Sequence, residues 1–209
     1  MRKIYFILLI ILMIFSCNPK EYNTLNQYSN TPIKFAKRQI IDEKLDFKIS
    51  IPKGYNTKIK EYKTEKNVFE SVILSLDIKS KKDENGNQNW ISIQKVRGHK
   101  KNVNLESAFN HSIYVVRDFI GVEILESGIS SILEYDSFFL HTNPETEEYG
   151  KTDFIMFVLE ADETDVFYNI TATSTLNDNL KKNMSMLISC IRTFEKIEIQ
   201  KKNNAQQGL

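Results

Sequence analysis

The chain has two cysteines, four prolines, seven glycines and one tryptophan in 209 residues. Each shortage excludes something. One cysteine lies in the extreme N-terminal segment, which leaves Cys190 without a partner and the chain without a disulfide framework. The glycines stand singly, and no GxxxxGK[ST] or GxGxxG run builds a phosphate cradle from them. HExxH, CxxC and GxSxG are missing as well. Neither sign of charge is in excess: 28 Lys and Arg face 27 Asp and Glu. That balance speaks against a nucleic-acid partner and against a funnel for acidic substrates. The histidines, His99, His111 and His141, are far apart in sequence, with none of the short-spaced pairs that zinc sites use. No metal, cofactor or catalytic residue is expected on these grounds.

What the chain does have begins at its first residues. After Arg2 and Lys3, Ile4 to Phe15 is an unbroken apolar run of twelve residues. A spanning helix needs about 20. A basic start, an apolar stretch of roughly 7–15 residues and a small residue before the cut make a signal peptide. The end of the run, Ile14-Phe15-Ser16-Cys17, resembles the lipobox of bacterial lipoproteins. The resemblance implies that residues 1–16 are a signal peptide and that Cys17 carries the acyl chains that hold the protein to a membrane. Each buried methylene adds roughly 0.8 kcal/mol, so several chains anchor where one would not. Asn18 after Cys17 resembles lipoproteins sent to an outer membrane where the cell has one. The stretch from Cys17 to Ile40, polar and without a sustained period, reads as a flexible linker between lipid and fold.

The folded part spans about 41–195. Leu45 to Ile51 alternates apolar and polar residues, the mark of a half-buried strand. Pro52 and Gly54 end it, and Tyr55 to Tyr62 gives a ragged second strand. Val72, Leu74, Leu76 and Ile78 line one face of a third strand, and Trp90 to Val96 returns from it. Between them, Asn85-Gly86 predicts a tight hairpin turn. A calcium loop starting at Asp83 would need Gly and Glu where Gln88 and Gln94 stand. From Leu105, apolar residues recur at three- and four-residue steps through Phe119 and Ile120, a helix capped by Asn104 and stopped by Gly121. Strands follow over Val122–Leu125, Gly128–His141, Asp153–Glu160 and Val166–Ser174. A second amphipathic helix then runs from Leu176 to Phe194, with Cys190 near its apolar stripe, and residues 196–209 read as a disordered tail. Strands joined by short polar turns pair antiparallel. The order strands, helix, strands, helix makes an α+β fold, an antiparallel β-sheet with two packed helices.

Phe47-Lys48-Ile49-Ser50-Ile51-Pro52-Lys53-Gly54-Tyr55, a strand ending in Pro-x-Gly and an aromatic, is similar to the opening of the PsbP-like/Mog-type family. The helix from Leu105, the later strands and the closing helix ending in Thr193-Phe194 stand where that family has them. The resemblance implies an α/β/α sandwich that serves as a scaffold for protein partners without catalysis.

The reading that follows is a membrane-anchored, non-catalytic protein-binding or assembly module on the exported side of a bacterial membrane. Its partner surface would be the sheet face left free by the helices, with Tyr135, Phe138, Phe139 and Tyr149 as aromatic anchors. A second reading is an envelope hydrolase using His141 with Asp136 or a turn carboxylate. A third is an immunity or chaperone protein for a secreted effector. The acidic clusters Glu145/Glu147/Glu148 and Asp162/Glu163/Asp165 read as solvated turns.

Overall fold

A computed structural model describes residues 23–30, 34–62, 71–147 and 150–197. The expected signal peptide, Cys17, Tyr149 and the expected tail past residue 197 lie outside the described residues. The architecture is α+β, as the patterns predict. Strands β1 (Lys37–Ile40) and β2 (Phe47–Pro52) follow a short helix α1 (Asn23–Ser29). Then come β3 (Asn56–Glu61), β4 (Val72–Lys79), β5 (Asn89–Arg97) and the helix α2 (Leu105–Tyr114). Strands β6 (Ile124–Ser130), β7 (Ser137–Thr142), the two-residue β8 (Glu145–Thr146), β9 (Gly150–Glu160) and β10 (Val166–Thr175) precede helix α3 (Leu180–Ile191) and β11 (Glu195–Lys196). The large sheet runs β3-β4-β5-β10-β9-β7-β6, and β1-β2-β11 form a small one. Every pairing is antiparallel.

Alternation along the strands gives the large sheet two different faces. On one lie Ile91 and Ile93 of β5, Tyr168 and Ile170 of β10, and Ile155 and Phe157 of β9, all buried. Helix α3 packs Met184, Leu187, Ile188 and Ile191 on this face, and the small sheet adds Phe47, Ile49 and Ile51. Phe47 meets the rings of Tyr168 and Phe194 at 5.7 and 5.2 Å. Each such side chain is worth about 1.5–3 kcal/mol when fully buried. Helix α2 covers part of the opposite face, with Ala108, Phe109 and Val116 against Leu140, Val158 and Phe167. Asn104 caps α2 as its residue type predicts, its Oδ1 accepting from Ser107 N at 2.8 Å.

The structure departs from the sequence reading in five places. First, residues 23–30 and 34–40 already belong to the described fold, ahead of the start expected near residue 41. Leu25 and Tyr28 of α1 are buried in the main core, and β1 pairs with β2, so most of the expected linker is structured. Second, the Asp83–Asn87 loop is longer than a two-residue hairpin. Gly86 alone takes a positive φ there, and the Asp83 carboxylate accepts from Asn85 N, Asn87 N and Asn87 Nδ2. Third, Leu133 and Tyr135 lie in the turn between β6 and β7 rather than on a strand. Fourth, α3 begins at Leu180, four residues past the start of the apolar periodicity. Fifth, α2 loosens into a π-helical turn over Val115–Phe119, with Ile120 N donating to Val115 O. The extra residue per turn rotates the following side chains off the apolar stripe, so Phe119 and Ile120 point to solvent instead of the core.

Burial pushes the Cys190 thiol up from 9.0 to about 12. Burial likewise pushes the Tyr55 phenol up from 10.0 to about 12, against a hydrogen bond with Asn89 that pulls it down. Both are raised in the folded state, so their contribution to stability is complete below about pH 9 and lost as the pH climbs toward 12. Urea melts between pH 8 and 12 should show midpoints that fall across that window; a flat profile would contradict the burial of these groups.

Candidate functional site

Where α2 crosses its face of the sheet it leaves a cleft of about 390 Å³, within the range of ordinary ligand sites. The strands beneath supply the floor through their register. Gln94 of β5 lies directly opposite Asn169 of β10, and Asn169 directly opposite Val158 of β9. Phe154 and Met156 extend the floor along β9, both half-buried. Ala108, Val115, Val116 and Ile120 form the helix wall. At the rim the rings of His99 and His111 stack 4.4 Å apart at 20°. Among the described residues lining the cleft, Arg97 is the one Lys, Arg, Asp or Glu, and its guanidinium is engaged by Glu163 at 3.4 Å. The cleft is therefore apolar, with two neutral amides on its floor that both donate and accept.

A second polar group sits on the other face, under α1. The Asp153 carboxylate is 2 % exposed. Its Oδ2 accepts from the Tyr28 hydroxyl at 2.8 Å, and its Oδ1 lies 2.6 Å from His141 Nε2. The Asn143 amide, turned so that its nitrogen faces acceptors, donates to the same Oδ1 at 2.6 Å. Burial, and then the Asp153 charge, raise the Tyr28 phenol above its ordinary range, so it stays protonated and donates. Next to His141 across the β6–β7 pair is Glu126, whose Oε1 accepts from Thr24 N and Oγ1 at 3.2 Å. These bonds fasten α1 to the sheet. His141 is as buried as its partner, so no substrate reaches the imidazole.

The residues expected to matter fall in different places. Asp136 is exposed in the β6–β7 turn, while His141, near the other end of β7, takes Asp153 instead. The three described members of the aromatic surface do not come together. Phe139 is fully buried in the main core; Phe138 points to the opposite face and stacks on Phe109 at 4.9 Å. Tyr135 packs edge-on against Phe194, and its hydroxyl accepts from Lys196 N at 3.0 Å. The turn carboxylates are structural fastenings: Glu163 holds Lys95 and Arg97, Asp162 holds Lys196, and Asp165 Oδ1 accepts from Val103 N. Sequence reasoning missed the cleft because Gln94 and Asn169 look like ordinary outward strand residues. It missed the His99–His111 stack because the two residues meet only when α2 folds back over the sheet.

No family model matches the chain, and none of the curated proteins matches it. Among solved structures the chain is similar to cyanobacterial PsbP (CyanoP) from Synechocystis sp. PCC 6803. The TM-score is 0.51 at 10% identity, over 78% of this chain and 94% of that one. It is also similar to the Ran-binding protein Mog1p of Saccharomyces cerevisiae, with a TM-score of 0.50 at 11% identity over 79% of this chain and 97% of that one. The fold is PsbP/Mog-like. At this identity the likeness is one of backbone, and the PsbP/Mog-like fold leaves the chemistry of the cleft to be argued from its own residues.

Proposed function

We propose that the protein is a lipid-anchored, non-catalytic binding module of a bacterial envelope, and that it takes a protein partner in the cleft beside α2. The observation that carries this reading is the cleft itself: apolar walls, a neutral floor and a half-covered sheet face. Such a lining suits an uncharged, apolar segment of a partner, with Gln94 and Asn169 meeting its peptide groups. The Ran-binding activity named for Mog1p supports a scaffold of this shape serving protein contacts. The anchor is Cys17, acylated after removal of residues 1–16, and it places the module on the exported side of the membrane, the outer one in a diderm cell. An immunity or chaperone role is the narrower form of this reading, with a secreted effector as the partner.

The test is extraction of the native protein from membranes in mild detergent, followed by crosslinking from a photoreactive residue at Met156. A stoichiometric protein partner is expected. Gln94→Lys and Asn169→Lys each put an unpaired ammonium on the apolar floor and should weaken that complex by about tenfold or more, since 1.4 kcal/mol already suffices for tenfold. A protein that always runs alone, or variants that bind as the wild type does, would remove the basis of the reading.

A further inference from the structure

The π-helical turn at the end of α2 leaves a second feature, of which only Ile120 also borders the cleft. Phe119 is 82% exposed, Ile120 61% and Leu125 46%. Phe119 and Ile120 end the helix, Gly121 turns the chain with φ 80°, and Leu125 is the second residue of the edge strand β6. Three large exposed apolar side chains thus flank Gly121 in the sequence. An ordinary α-helical ending would have kept the first two on the buried stripe, so folding alone does not account for their exposure.

The position of α1 says what faces them. Thr24, at the start of that helix, is bonded to Glu126, the residue after Leu125. Only five residues, 18–22, separate Cys17 from Asn23. Even fully extended, that length of chain reaches about 20 Å. A linker running to residue 40 would let the body stand off and turn freely; with Cys17 acylated, a five-residue connection would keep the start of β6 near the lipid. The charges nearby fit a zwitterionic bilayer rather than an anionic one. Arg117 and Asp118 neutralise each other at 2.9 Å, Glu126 is half-buried with its Oε1 accepting from Thr24, and Glu123 adds one exposed carboxylate, so the carboxylates outnumber the cations around the turn.

We propose that the turn between α2 and β6 is a membrane-contact surface, with Phe119, Ile120 and Leu125 entering the headgroup layer and fixing the orientation of the domain on the bilayer. This rests on acylation of Cys17. It sets the opposite sheet edge, β3 with Lys58 and Lys60, away from the lipid.

The chain offers a direct way to test this. Cys190 is buried and Cys17 is consumed by lipid, so Phe119→Cys supplies a single accessible thiol for a nitroxide label. The full-length acylated protein is reconstituted into phosphatidylcholine vesicles and compared with Lys58→Cys labelled in the same way. The label at 119 should gain collisions with oxygen and lose collisions with a water-soluble nickel complex; the label at 58 should remain in water. Equal accessibility at the two sites, in protein that floats with the vesicles, would overturn the proposal while leaving the anchor intact. A label at 119 that reports a second spin at short range would overturn it too, because a second copy would then cover the turn. Protein that does not float and whose N-terminus carries no acyl group by mass spectrometry would take down the anchor reading, and this proposal with it.

Discussion

Asp153→Ala is expected to lower the unfolding free energy by about 3–5 kcal/mol, because it removes the shared acceptor of buried groups and each one left unsatisfied costs about 1–3 kcal/mol. The carboxylate is the common acceptor for Tyr28, His141 and Asn143. Truncation leaves Tyr28 and His141 buried without their shared acceptor, and an unsatisfied buried donor costs about 1–3 kcal/mol by itself. Asp153→Asn should cost less, because one carbonyl oxygen still accepts, though the amide must then find acceptors of its own. In urea melts the midpoint should fall with the slope unchanged. If the group were instead a working catalytic site, the same substitution would leave stability almost unaltered, as strained functional residues often do when relaxed. A loss under about 1 kcal/mol would therefore reopen the hydrolase reading that the burial of His141 argues against.

Removing residues 1–30 should cost about 3–6 kcal/mol relative to removing residues 1–22. The difference between the two truncations is α1, which contributes the buried side chains of Leu25 and Tyr28, each worth about 1.5–3 kcal/mol. The shorter truncation leaves the helix in place and should melt like the full soluble domain. Losing α1 also opens Asp153 and His141 to water, which replaces the Tyr28 hydrogen bond and eases the desolvation of the carboxylate. The two effects share one contact, so Asp153→Ala made in the longer truncation should cost clearly less than in the shorter one. Additive losses would mean that α1 and the Asp153 group are independent, against the 2.8 Å bond between them. The same pair of truncations bears on the anchor. If α1 were a solvated linker, its removal would be silent, and the domain would have a long tether instead of five residues.

The elements legible in the chain are those whose signal is local. Alternation at Phe47–Ile51, Val72–Ile78 and Val166–Ser174 announced strands within a few residues of their observed bounds. The Asn104 cap and the left-handed Gly121 marked α2 at both ends. The π-helical turn was not legible, because Val115–Phe119 carries the same apolar spacing whether the turn is wide or narrow. Nor was α1: seven residues hold no full period, and a helix that short is unstable alone. It exists because Leu25 and Tyr28 find the core and Glu126 accepts from its first turn.

The amino-acid order alone thus determined the class of the fold and the succession of its main strands and its two longer helices, since each depends on residues only a few positions apart. Tertiary structure decided everything that joins distant positions. It set Tyr28 on Asp153 across 125 residues, stacked His99 on His111, and brought Thr24 to Glu126. A neighbouring residue can be read from a period. A partner from the far end of the chain is chosen only when the sheet closes and burial makes the contact worth more than water.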